Sequence, residues 1–109
     1  MHVSITALKL HSILQAPLFF WHAIPNIRQA RLAPGNICTR VRNVAGIPHT
    51  LTVWENREAM RAFLGSAAHL AAMRASRKIG TTRSCGYEAD REPAWEEALA
   101  YLAEHGRDY

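Results

Sequence analysis

Residues 50–73, TLTVWENREAMRAFLGSAAHLAAM, decide how this 109-residue chain is read. Leu51 and Val53 alternate with Thr50, Thr52 and Trp54, the period of two that marks a strand with one apolar and one mixed face. After Glu55 and Asn56 the period changes, and Met60, Phe63, Leu64 and Ala67 recur at helical spacing. Gly65-Ser66 then poses a choice. If the helix runs through it, a step of about 100° per residue puts His69 opposite Met60, facing solvent. If it breaks, Ser66 caps a second helix, His69 sits in its first turn, and Leu70 and Met73 turn inward. The break is the expectation, with Gly80 closing the second helix.

Upstream, Val3, Ile5 and Ala7 alternate with Ser4, Thr6 and Leu8 as a first strand. Pro17 suits the first turn of the helix that follows, and Pro34-Gly35 ends it. Pro25 lies inside this helix and predicts either a bend or two short pieces. Residues 36–42, NICTRVR, form a second strand. Strict alternation puts Cys38 and Arg40 on the face that holds Thr50, Thr52 and Trp54. Residues 43–49 supply a turn through Gly46 and Pro48. Downstream, Thr81 to Glu88 reads as a fourth strand. Pro93 opens a last helix with the apolar stripe Trp95, Ala98, Leu99 and Leu102, closed by Gly106.

The expected fold is a single α+β domain over residues 1–109, ferredoxin-like βαββαβ with a C-terminal helix and a four-stranded antiparallel sheet. All helices can lie on one side of that sheet. The mixed face of Ser4, Thr6, Leu8, Cys38, Arg40, Thr50, Thr52 and Trp54 then needs a cover, either a partner sheet or a ligand.

Composition narrows the function classes. An apolar fraction of 49% with 20% charged residues describes a globular chain. No run approaches the roughly 20 apolar residues of a membrane span. The N-terminus reads as a strand and not as a signal peptide, so the cytoplasm is expected and no membrane partner. Cys38 and Cys85 stand singly, as buried thiols. Charge is uneven: residues 1–87 carry 11 Lys and Arg against Glu55 and Glu58, whereas residues 88–109 carry seven acids against Arg91 and Arg107. The cations are scattered, and neither NICTRVR nor RSCGYEA has the exposed aromatics of an RNA-binding strand, so no nucleic-acid partner is expected. No histidine pairs with another ligand at metal-binding spacing, no glycine loop cradles phosphate, and no nucleophile has a nearby base.

LTVWENREAMRAFLGSAAHLAAM, with RLAPGNI before it and EPAWEEALAYLAEHGR after it, resembles the bacterial DUF3291-type proteins. More distantly it is similar to the antibiotic-biosynthesis monooxygenase-like group of dimeric α+β barrels, which includes proteins similar to spheroidene monooxygenase. The resemblance implies a homodimer formed through the open sheet face and enclosing a cavity for a small hydrophobic or aromatic ligand. It also implies a monooxygenase-like activity that needs no cofactor. The haem-degrading members use a Trp and a His about three turns apart, where this chain has Phe63 and Met73, which argues against that chemistry.

Candidate site residues follow. His69 at a helix start would serve as a base, a proton shuttle or an axial haem ligand, or else packs at the break. Arg40 would stabilise an oxyanion, or else forms a salt bridge. Trp54 would stack on an aromatic substrate, or else anchor the dimer. Thr52 and Thr6 share the face of Trp54, and His22 and Tyr87 are further candidates for substrate contact. Three functions stay open: a small-molecule monooxygenase, a binding or structural homodimer without catalysis, and a haem-binding protein.

Overall fold

The computed structural model describes residues 1–108; Tyr109, the last residue of the expected domain, lies outside them. The element order is β1 (His2–Leu10), a 3-10 turn (Ile13–Gln15), α1 (Ala16–Leu32), β2 (Asn36–Val44), β3 (Ile47–Trp54), α2 (Arg57–Leu64), α3 (Ala67–Ile79), β4 (Gly80–Glu88), α4 (Trp95–His105) and β5 (Arg107–Asp108). This is the ferredoxin-like α+β order with a terminal addition. The sheet is antiparallel and has five strands, not four, in the order β2-β3-β1-β4-β5. The extra strand is two residues long, pairing Asp108 with Arg83 and Arg107 with Ser84, and leaves no periodic signal in the sequence.

Local chemistry explains the boundaries. The β2–β3 connection is only Ala45-Gly46, both at positive φ (53° and 80°), the left-handed pair that a two-residue hairpin of matching twist requires. Pro48 therefore lies within β3. Gly35, at φ +83°, turns the chain from α1 into β2. A Cβ there would come within 2.5 Å of the Ala59 Cβ, so glycine alone lets α2 approach. Pro25 neither splits nor ends α1, which is one helix with the proline on its exposed side. The break at Gly65-Ser66 is present: the Ser66 hydroxyl accepts from the His69 backbone N–H at 3.3 Å and starts α3.

The helices do not share one side of the sheet. α4 lies across the apolar face, where Ala98 and Leu102 bury against Val3, Ile5, Leu51 and Val53. The helices α1, α2 and α3 cover the opposite, mixed face, with Ala30 and Phe63 packed on Trp54. The route to a homodimer expected from the sequence, an open mixed face, is therefore closed by the chain's own helices. No helix among the described residues is long and apolar enough to cross a membrane.

Candidate active site

Between the mixed face and its helices lies a cavity of about 450 Å³, a size suited to a small organic ligand. The period of two along the strands builds its floor: Ser4 and Thr6 from β1, Thr50 and Thr52 from β3, Thr82 and Ser84 from β4. These hydroxyls are partly tied down, Thr6 to Ser84 at 3.0 Å and Thr52 to the Ser4 carbonyl at 3.4 Å. The roof is apolar, with Ile27, Met60, Leu70 and Met73 among its residues. Of the lining residues only Arg77 is a permanent charge.

One wall is an aromatic row. Trp54, at the end of β3 and 1% exposed, stacks on Phe63 of α2 with centroids 5.4 Å apart. Phe63 in turn meets the His69 ring edge-on at 5.1 Å. The break at Gly65-Ser66 produces this contact by restarting the helix so that His69 points back toward Phe63. Burial lowers the His69 pKa from its ordinary 6.5, with the Leu64 carbonyl pulling the other way, so the imidazole is neutral near pH 7 and able to accept a proton.

Three polar atoms of cavity-lining residues are buried without a hydrogen-bond partner among the described residues: Trp54 Nε1, His69 Nδ1 and Asn26 Oδ1. Leaving such groups unpaired costs about 1–3 kcal/mol each. Asn26 is absent from the candidates read in the sequence. Its signal is its place four residues after His22 on α1, which puts both on the inward face.

The structure brings together His69, Trp54, Thr52, Thr6 and His22, all of which line the cavity. Arg40 and Tyr87 lie on the other side of the sheet. For Arg40 the reason is a β-bulge. Asn36 pairs with Trp54, but Cys38 pairs with Val53, so Ile37 is the extra residue and everything after it changes face. Thr39, not Arg40, comes opposite Thr52, and Arg40 comes opposite Leu51. There it forms an ion pair with Glu92, which also accepts from the Cys38 thiol at 3.2 Å. Burial, then Glu92, push that thiol's pKa up to about 11, leaving it protonated and unreactive. Tyr87 pairs with Val3 and stacks on Tyr101 at 4.0 Å, and burial raises its pKa.

Among the described residues no group of three or more His, Cys, Asp or Glu could hold a metal ion. Haem fits the lining poorly, because its two propionates would find one cation, Arg77.

Helices on both faces of an antiparallel sheet, with a cavity under three of them, make a ferredoxin-like α+β fold. No protein-family model and no curated protein matches the chain in sequence. Solved structures do match in fold. A proposed antibiotic biosynthesis monooxygenase from Nitrosomonas europaea superposes with a TM-score of 0.75 at 16% identity, covering 84% of this chain and 100% of its own. Rv0793 from Mycobacterium tuberculosis gives 0.74 at 14% identity, over 86% and 100%. SnoaB from Streptomyces nogalater, a cofactor-independent oxygenase, gives 0.68 at 16% identity, over 84% and 94%. At these identities the likeness is one of fold.

Proposed function

We propose that the cavity binds a neutral, planar hydrophobic molecule bearing an enolisable ketone or a phenol, and that the chain oxygenates it without a cofactor. The observation that carries this reading is the set of three unpaired polar atoms in a cavity whose remaining surface, His22 and Arg77 apart, is apolar or hydroxyl-lined. A ligand with an oxygen to accept from the Trp54 N–H and a hydroxyl to donate to Asn26 Oδ1 would satisfy them, and its ring system would lie against Trp54 and Phe63. The scarcity of charge disfavours an anionic substrate and suits one that becomes an anion only when deprotonated in place.

In this scheme neutral His69 removes the acidic proton. The Trp54 indole N–H takes the role expected of Arg40 and donates to the developing oxyanion, while the unpaired Asn26 Oδ1 accepts from a hydroxyl of the substrate. The carbanion passes one electron to dioxygen, and the radical pair combines through a C–O bond. For a methylene carbon the resulting hydroperoxide loses water, so that one oxygen atom enters the product carbonyl and the other leaves as water. The substrate supplies both electrons, and no external reductant is consumed. The cofactor-independent activity named for SnoaB supports this reading by analogy of fold.

The test is oxygen uptake with anthrone, an aryl ketone with acidic methylene protons. Uptake that falls at least about 100-fold in His69→Ala supports the scheme. Saturable binding without uptake would leave a ligand-binding protein, and no binding of any phenol or aryl ketone would sink both.

A further inference from the structure

α1 is apolar on both sides. Its inner side lines the cavity, while Phe20, Trp21, Ile24 and Leu32, with Ile13 and Leu14 of the preceding turn, stand in solvent; Trp21 is 77% exposed and Leu32 83%. Trp21, Ile24, Arg28 and Leu32 follow one another at helical spacing as a single outer row, interrupted only by Arg28. A helix that is apolar all round is normally buried all round. Its neighbour is α3, which packs beside it over the cavity. Together α1 and α3 carry Arg28, Arg31, Arg74, Arg77 and Lys78 and no acidic residue. The acids lie off these two helices: Glu55 and Glu58 at the start of α2, near Leu32, Glu88 on β4 beside His2 on the mixed face, and the remaining six at residues 90–108, in and around α4. Helices α1 and α3 are thus apolar and cationic at once, whereas on the α4 side Glu92, Asp108 and Glu97 are paired with Arg40, Arg83 and Arg91.

We propose that the α1–α3 layer docks on an anionic lipid bilayer, with α1 lying in the plane of the interface and no segment crossing it. Trp21 and Phe20 would enter the headgroup region, as aromatic side chains at membrane interfaces do. Arg28, Arg74 and Lys78 would meet the lipid phosphates, and the α4 side, which holds six of the nine acids, would point away from the negative surface. A second copy of the chain fits this face less well. A two-fold contact would set Arg28 against its own counterpart, with the nearest acids, Glu55 and Glu58, only at the Leu32 end of the helix. A contact with the α4 layer of the next copy would meet acids already paired with arginines, and it is head-to-tail and does not close by two-fold symmetry. The inference is independent of the reaction proposed for the cavity, and its test uses no substrate.

The test is co-sedimentation with phosphatidylcholine vesicles, with and without about one-third phosphatidylglycerol. The expected result is binding to the anionic vesicles at least about tenfold tighter than to the neutral ones, weakening as salt is raised. Trp21→Ser, at a solvent-exposed position, should keep its Tm and lose this binding. The double variant Arg74→Glu with Lys78→Glu should weaken it while leaving the apolar row intact. Absence of binding to anionic vesicles, or equal binding to both compositions, overturns the proposal. So does a dimer in sedimentation velocity that Trp21→Ser dissociates while no vesicles are bound, which would assign the face to a second copy.

Discussion

The two faces of the central sheet are made from the same strands, one residue out of step, yet they are finished in opposite ways. Under α4, Val3, Ile5, Leu51 and Val53 are fully buried, and Ala98 and Leu102 close over them. Under α1–α3 the same strands offer hydroxyls and a tryptophan, and the helices leave a cavity of about 450 Å³ with three buried polar atoms unpaired. A chain able to pack one face this well has left the other open at a cost of about 1–3 kcal/mol for each unpaired group. The asymmetry teaches that α4 holds the sheet together and that the three other helices hold something else. Strain and unpaired groups collect where a protein functions.

That division is broken most severely from the packed side. Leu51→Ala removes a fully buried side chain from beneath α4 and should cost about 2–5 kcal/mol of stability, read from the denaturant midpoint at constant slope. A loss well under 1 kcal/mol would mean that α4 does not close the core. Asn26→Leu acts on the other side with the opposite sign. It removes an unpaired buried carbonyl and substitutes a better helix former, so stability should rise by about 1–3 kcal/mol while ligand affinity falls. If Asn26→Leu destabilises the chain, Asn26 is a structural residue with a partner, and the cavity loses one of its three marks.

The faces differ too in how legible they were in the sequence. The apolar face was plain, because Val3, Ile5, Leu51 and Val53 follow a strict period of two and the stripe of α4 follows the helical period. The cavity side was half legible. Trp54, Thr52 and Thr6 could be placed by counting, the Ser66 cap placed His69, and His22 stayed an open candidate alongside Tyr87. Arg40 could not. A bulge is one unpaired residue, and nothing in NICTRVR marks Ile37 as the place where the count changes. Asn26 escaped because a polar residue on an apolar helix reads as solvent-facing until the helix has a partner on that side. The split of the helices between the two faces was hidden as well, since each amphipathic stripe says that it is buried but not against which face.

His69 gives a smaller effect, visible only with pH. Burial holds its folded pKa below the ordinary 6.5. Between the two values the unfolded chain binds a proton that the folded chain refuses, so stability rises with pH through that window and is lost as pH falls through the folded value. Activity that needs the neutral imidazole should rise along the same limb. In His69→Gln both dependences should flatten, measured as Tm against pH and as the acidic limb of the rate. An activity limb centred above 6.5 would mean that an unseen anion, not burial, sets the state of His69, and the cavity would no longer be the neutral site described.

The smallest expected effect is the sharpest test of which side a residue is on. Arg40 was the sequence's candidate for anion stabilisation, and the bulge at Ile37 carries it to the α4 side, where it pairs with Glu92. Both side chains are at least a third exposed, so the pair should contribute at most about 1 kcal/mol, less at high salt. Arg40→Ala should therefore barely move the Tm and should leave ligand affinity and oxygen uptake unchanged. It should also lower the Cys38 thiol's reactivity slightly further, because the guanidinium, with the Val53 backbone, favours the thiolate. A large loss of ligand binding in Arg40→Ala would place the side chain in the cavity, restore the unbulged register, and remove the distinction between the two faces on which the cavity argument stands.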